Sequence, residues 1–191
     1  MKKLIFIAAS AVALLAFKPV ENTTWSLDKA HAKLGFTVTH LAVSEVEGWF
    51  KKFDATVTSS KDDFSDAVVE MSADVNSINT ENDQRDTHLK SPDFFDAAKF
   101  GTLTFKSKSF KKVKDNLYKI TGDLTMHGVT KSVELDAIAR TGVHPMTKKN
   151  IAGFKISGTL KRSDFAIGAS MPTAMLSDEI IIIANAEFAK N

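Results

Sequence analysis

From Trp25 to Phe188 apolar side chains fall on every second residue, run after run, and a period of two is the signature of strands with one buried face. Leu34, Phe36, Val38 and His40 alternate with Lys33, Gly35, Thr37 and Thr39, while Phe53, Ala55 and Val57 alternate with Asp54, Thr56 and Thr58. Val69, Met71, Ala73 and Val75 make a third run, Leu103 and Phe105 a fourth, and Tyr118, Ile120, Leu124 and Met126 a fifth. Val133, Leu135, Ala137 and Ala139 follow, then Phe154, Ile156, Gly158 and Leu160, and finally Glu179 to Phe188. Helices can only be minor elements in such a chain. Eight strands in sequence, most joined by short links such as Lys114-Asp115-Asn116, predict an all-β fold, an eight-stranded antiparallel barrel of up-and-down type. Two stacked sheets would show the same alternation.

Two segments depart from the period. Thr80 to Phe100 is polar as far as Lys90 and then carries Phe94, Phe95 and Phe100. A short helix is expected there, capped by Thr80, with Glu81 paired to Arg85, Leu89 turned inward and Ser91-Pro92 as its stop. The segment reads either as a surface crossover or as a lid whose phenylalanines seal one mouth of the barrel. The run Ile180-Ile181-Ile182-Ile183 is apolar on both faces, which calls for an outer cover or a homodimer surface.

Composition narrows the function classes. The 191 residues include no cysteine, which removes thiol catalysis and Fe–S clusters. Fourteen phenylalanines against one tyrosine and two tryptophans bias the aromatic surface toward rings without a polar handle. Lys2-Lys3 followed by the apolar stretch Leu4 to Phe17 reads as a signal peptide over residues 1–16, too short to span a bilayer, with a linker at 17–24 and the barrel at 25–191. Removing residues 1–16 takes away two lysines and no acid, leaving equal numbers of basic and acidic residues. Nucleic-acid binding then has no electrostatic driving force. The expected location is periplasmic or secreted.

An eight-stranded barrel is just wide enough to be filled by its own side chains or to hold one small ligand. Phe36, Phe53, Phe105 and Phe154 point inward beside Ala55, Ala73, Ala137, Ala139 and Gly158, and beside flexible Met71 and Met126. Such a mixture can interdigitate into a solid core or leave a greasy tube. Strands of about nine residues at ~3.3 Å, tilted by about 40°, make a barrel about 23 Å tall, so a long tail must fold back or protrude. The expected ligand-binding set adds Val38, His40, Val57, Val69, Leu103, Leu124, Leu135, Ile156 and Leu160 to these aromatics and methionines, with Arg85, His88, Phe94 and Phe95 on the lid.

A series of ordered motifs then points to a family: Trp25-x-x-Asp28-x-x-His31, Phe36-x-Val38-x-His40-Leu41-x-Val43-Ser44-x-Val46-x-Gly48-x-Phe50, Arg85-Asp86-x-His88-Leu89, Asp93-Phe94-Phe95-Asp96, Phe105-x-Ser107, Gly122-x-Leu124-Thr125-x-His127-Gly128-Val129-Thr130-Lys131 and Arg162-Ser163-Asp164-Phe165. The chain resembles the YceI-like proteins, polyisoprenoid-binding, lipocalin-like secreted proteins of bacteria, over roughly Trp25 to Phe188. It departs from them at Ala32, where the family usually has Ser, and at Gly101, where Pro is usual. The resemblance implies a closed barrel with a lengthwise apolar cavity holding a polyprenyl or prenyl-quinone lipid, for transport or storage. No cofactor is implied beyond that ligand. Carriage of other amphiphiles, such as fatty acids or amides, and a filled-barrel structural or stress protein are the alternative readings; transient membrane contact fits the first two.

Nothing in the spacing calls for catalysis. There is no His-Glu-x-x-His, no Gly-x-Ser-x-Gly elbow and no phosphate-cradling glycine loop, so no catalytic and no metal residue is assigned. Asp86, His88 and Ser91 are close in sequence, but a triad needs hydrogen-bonding contact and an oxyanion hole. Arg162 and Asp164 are expected to form an ion pair that pins the loop after a strand.

Overall fold

The computed structural model describes residues 21–191, and the signal-peptide reading of residues 1–16 lies outside the described residues. The strands are β1 (Thr23–His40), β2 (Ser44–Phe50), β3 (Phe53–Ser59), β4 (Val68–Asp74), β5 (Ile78–Asn79), β6 (Thr102–Lys114), β7 (Leu117–Met126), β8 (Val129–Val143), β9 (Asn150–Lys161) and β10 (Leu176–Lys190). One α-helix, α1 (Asp83–Lys90), lies between β5 and β6, and single 3₁₀ turns occupy Val75–Ser77 and Arg162–Phe165. Eight strands form a closed antiparallel ring in the order β1, β3, β4, β6, β7, β8, β9, β10. β10 returns to β1, with Trp25 opposite Lys190 and Val38 opposite Ile180. This pairing separates the barrel from a sandwich, because a closed sheet satisfies every strand edge.

β2 and β5 are additions that the alternation alone did not separate from their neighbours. β2 and β3 are two arms of one bent strand, broken at Lys51-Lys52, and both run antiparallel to β1. Gly35 pairs with Trp49 and Ser26 with Thr56, so residues 27–34 of β1 stand opposite only residues 50–55. The excess is taken up by an irregularity between Asp28 and Ala32, where the strands part and a polar cleft opens beside Lys29, Lys33, Trp49 and Phe53. Phe53 therefore borders this cleft.

The end of the barrel that holds Trp25 is solid. The β3–β4 loop folds inward and places Phe64, 1% exposed, in the bore. Its ring lies 5.3 Å from Trp25 and 5.1 Å from Phe154, and Phe154 in turn meets Phe110 at 6.1 Å and Phe188 at 5.6 Å. Tyr118 stacks on Phe110 and donates its hydroxyl to Asp63 O at 2.7 Å, tying the plugging loop to β7. The lengthwise cavity expected from the resemblance is thus corrected: rings fill one half of the bore.

Asp66 holds that loop in place by accepting hydrogen bonds from Ser59 Oγ, Ser60 N and Ser60 Oγ. Desolvation of this carboxylate opposes ionisation, but the hydrogen bonds outweigh it and lower the pKa to about 2. A depressed carboxylate pKa contributes stability that is present above the unfolded value and is lost as pH falls through the folded one. Since Asp66 is exposed, solvent screening keeps the contribution to about 1 kcal/mol at most. The unfolding free energies of Asp66→Asn and the wild type, from urea denaturation, are expected to differ by that amount at pH 7 and to converge as the pH is taken through about 2. A gap independent of pH would contradict this role.

The outer face carries cross-strand ion pairs, including Glu70 with Lys106 at 2.7 Å and Asp123 with Lys108 at 2.6 Å. Exposed pairs of this kind add little stability each and mainly keep the outside wet. The isoleucine run of β10 resolves by register: Ile180 and Ile182 face the bore, while Ile181 on the outside is 43% exposed. Among the described residues no helix is long and apolar enough to cross a membrane.

Candidate ligand cavity

Four segments close the other end of the barrel and leave a hollow beneath them. The end of β1 at the β1–β2 turn supplies His40; α1 supplies Arg85, His88 and Leu89; the loop after α1 supplies Phe94 and Phe95; and the β9–β10 connection supplies Ile167, Met171 and Met175, with Leu176 at the start of β10. Below them the barrel wall contributes Phe36, Val38, Val46, Phe50, Leu103, Met126, Leu160, Ile180 and Ile182. The cavity measures about 290 Å³, at the small end of ligand pockets. Its wall is apolar except for His40, Thr80, Arg85, His88 and Arg162. Of these, His40, Arg85 and His88 are exposed and mark the mouth, whereas Thr80 and Arg162 are each 5% exposed.

The aromatic wall depends on small residues. Phe36 lies over Gly48, where a Cβ would sit 2.3 Å from the ring. Phe36 then leads to Phe50 at 6.1 Å, and Phe50 meets Phe95 edge-on at 6.0 Å, so the rings form a continuous ladder from strand to lid. Gly168, at φ +59°, lets the β9–β10 connection pass under Phe94, where a Cβ would approach Cε1 to 2.9 Å. The two lid loops meet there.

Helix α1 begins at Asn82, whose side chain accepts from Arg85 N at 2.9 Å, and not at Thr80 as the sequence suggested. Thr80 has a different task. Its N–H and hydroxyl donate to the buried Asp86 carboxylate at 2.8 and 2.6 Å, and its own oxygens accept from Arg85 Nε at 2.8 Å and Nη2 at 2.7 Å. Arg85 is therefore held by Thr80 rather than by Glu81. His88 stacks edge-on against Phe94 at 4.9 Å, with Nε2 3.5 Å from Asp93. Asp86 and His88 are turned to separate partners, and no hydrogen bond joins either to the Ser91 hydroxyl.

Arg162 corrects another expectation. It makes no ion pair with Asp164; its side chain is buried and donates to the carbonyls of Ile167, Gly168, Met171, Leu176 and Ser177. One guanidinium thus organises the whole β9–β10 connection. Asp178 accepts instead from Ser163 Oγ at 2.8 Å and Ser163 N at 3.0 Å, which lowers its pKa.

The family model of the YceI-like domain matches residues 25–188. The chain belongs to the YceI-like family. A UPF0312 protein of Staphylococcus aureus (strain bovine RF122) is 36% identical over 175 residues, covering 87% of this chain and 98% of that protein. The crystal structure of the Campylobacter jejuni YceI protein superposes with a TM-score of 0.73 at 37% identity, covering 86% of this chain and 96% of that one. A polyisoprenoid-binding domain from Saccharophagus degradans, implicated in plant cell wall breakdown, shares the fold at TM-score 0.63 and 16% identity, covering 87% and 98%.

Within this YceI-like barrel, Phe36, Val38, His40, Arg85, His88, Phe94, Phe95, Leu103, Met126 and Leu160 all border the cavity. Val57, Val69, Met71, Phe105, Leu124, Leu135, Phe154 and Ile156 do not; they pack in or against the core, and Phe53 faces the polar cleft. Period two reports which face of a strand a residue is on, and the height at which the bore is plugged is set by Phe64 from a loop. Val46, Phe50, Thr80, Leu89, Arg162, Ile167, Met171, Met175, Leu176, Ile180 and Ile182 were not among the expected lining. Ile180 and Ile182 had a usable signal, since they alternate on the same face. The residues of the β9–β10 connection had none.

On the outside of the barrel, Asp28, His31 and Glu187 bring ligand atoms within 4.8 Å of one another. Their grouping is accounted for by the hydrogen bond between His31 Nδ1 and Asp28 at 2.9 Å, which lowers the Asp28 pKa and raises that of His31.

Proposed function

We propose that this protein is an exported carrier that holds a long-chain isoprenoid lipid, of polyprenyl or prenyl-quinone type, for transport or storage. The observation that carries the reading is the apolar cavity under a lid, open at a rim of His40, Arg85 and His88. Its volume equals that of about ten waters at ~30 Å³ each, and a methylene group is of similar size. Burying about ten such groups contributes about 8 kcal/mol before the cost of ordering the chain, enough for a specific amphiphile without any covalent chemistry. A longer tail leaves through the mouth, because Phe64 and its neighbours block the far end. The polyisoprenoid-binding domain of Saccharophagus degradans supports the ligand class by its shared fold, and the signal-like residues 1–16 support export. A filled-barrel structural role accounts for only the half of the bore that rings occupy.

Organic-solvent extraction of natively purified protein, followed by mass spectrometry, tests the reading. A prenyl lipid is expected. A straight-chain fatty acid or amide would replace the ligand class, and an empty extract would remove the carrier function. The double variant Ile180→Trp/Ile182→Trp fills the cavity from β10 without adding charge. Displacing four or five methylene groups at ~0.8 kcal/mol each, about 3–4 kcal/mol in all, predicts a loss of affinity on the order of a few hundredfold. Full loading of the folded variant would place the ligand elsewhere.

A further inference from the structure

Two loops at the mouth of the cavity leave apolar side chains in water. In the β1–β2 turn Leu41 is 50% and Val43 87% exposed, and in the β9–β10 connection Met175 is 46% exposed. The loops form one surface: Leu41 N donates to Met175 O at 3.0 Å, and His40 lies opposite Leu176 where β1 meets β10. No charged residue occurs from Ala166 to Ser177 or from Leu41 to Ser44, in a chain of which 25% is charged. We infer that these loops dock the mouth on a phospholipid bilayer, with Leu41 and Val43 entering the head-group layer. The inference rests on the proposed carrier function and adds to it the surface through which lipid is taken up and given back.

The β1–β2 turn keeps its apolar tip at a conformational cost. Val43 N donates to His40 O at 3.0 Å, and both residues between them are left-handed, Leu41 at φ 53° and Ala42 at φ 56°. A tight hairpin turn with two positive φ angles favours asparagine and glycine, because an ordinary Cβ is crowded there. Leucine and alanine are held in it against that preference, and Leu41 and Val43 recover nothing by burial in the protein itself. Entry into an apolar medium would recover it. A stable protein interface takes about 20–30 residues a side, whereas a few apolar side chains on uncharged loops suit shallow, reversible insertion in a bilayer. The surface is also continuous with the cavity, since Met175 is exposed and also lines the cavity wall. A tail can therefore pass between bilayer and cavity without crossing water. The charges at this end, Glu45 after the turn and Arg85 and Asp93 on the lid, are of mixed sign, so anionic lipid should add little.

Flotation of natively purified protein with phosphatidylcholine vesicles tests the docking. Leu41→Asn/Ala42→Gly supplies the residues this turn favours while removing one apolar side chain, and Val43→Ser removes the other; none of the three positions borders the cavity. The combined variant is expected to partition onto vesicles at least about tenfold more weakly than the wild type, because half of Leu41 and most of Val43 is the surface transferred. The turn variant alone should melt at the wild-type temperature or a few degrees above it. A clearly lower melting temperature would assign Leu41 to folding and overturn the inference. Val143→Ser/Met146→Ser, in the exposed β8–β9 turn at the opposite end, should leave partitioning unchanged; a loss there would move the docking face. Adding phosphatidylglycerol should change partitioning by less than about twofold, and a requirement for it would mean that a charged patch binds instead. Undiminished partitioning of the combined variant, or a wild-type dimer in solution that this variant abolishes, would also overturn the inference. Farnesol, offered without vesicles to delipidated protein, should bind wild type and variants equally. Its failure to bind the wild type would count against the isoprenoid carrier, while the vesicle result would still decide the docking.

Discussion

Phe64→Ala is expected to lower the free energy of unfolding by about 3–5 kcal/mol, measured by urea denaturation against the wild type. Phe64 is 1% exposed and is wedged between Trp25 and Phe154, so deleting its ring removes both its transfer energy and its packing partners. Collapse into the hole is opposed from both sides. The barrel wall is a closed hydrogen-bonded ring that cannot contract, and the loop is tied by Asp66 to Ser59 and Ser60 and by Asp63 O to Tyr118. Phe64→Leu keeps most of the volume and should cost about 1–2 kcal/mol. An alanine variant within about 1 kcal/mol of the wild type would show that this half of the bore is not packed by Phe64.

Arg162→Met is expected to cost about 4 kcal/mol and to release the β9–β10 connection. Methionine matches the aliphatic stem but donates nothing, leaving the carbonyls of Ile167, Gly168, Met171, Leu176 and Ser177 without their shared donor. Those are the same residues that bring Ile167, Met171 and Leu176 to the cavity wall. Amide hydrogen exchange from Ile167 to Leu176 should therefore accelerate well beyond that of the β6–β7 hairpin, and ligand retention should fall with it. Arg162→Lys, with three donors on a point charge, should recover about half of the stability. Unchanged exchange in this segment would mean that the loop is held by its apolar contacts alone.

The strands of the barrel were legible in the sequence because they are long and one face of each is buried, while closure against two stacked sheets was decided by the pairing of β10 with β1. The runs around Phe36, Ala55, Ala73, Phe105, Ile120, Leu135, Phe154 and Ile182 each lie within a strand of the ring. β2 was harder to see. Its Glu45, Glu47, Gly48 and Trp49 dilute the alternation, and Trp49 points outward, where it covers Gly35. The lid was legible as a break in the period and as phenylalanines after Pro92, but its wiring was not. Thr80 read as a helix cap and Asp86 as part of the polar stretch up to Lys90, yet both are buried and each satisfies the other.

The candidate site divides in the same way. Phe36, Val38, Met126 and Leu160 could be marked as inward from spacing, and so could Phe154 and Leu135, which lie in the packed core. Met171 and Met175 sit in a segment without periodicity, and Arg162 looked like half of a surface ion pair.

Local alternation by itself determined that this chain forms a series of β-strands with one buried face each, because such burial depends only on neighbours two residues apart; the closing of those strands into a ring came from the pairing of β10 with β1. Tertiary structure alone decided where the barrel is hollow. The height of the plug, the seating of the lid loops and the burial of Arg162 arise from contacts between segments far apart in the chain, such as Phe64 with Phe154 and Leu41 with Met175, and no local pattern encodes a distance of that kind.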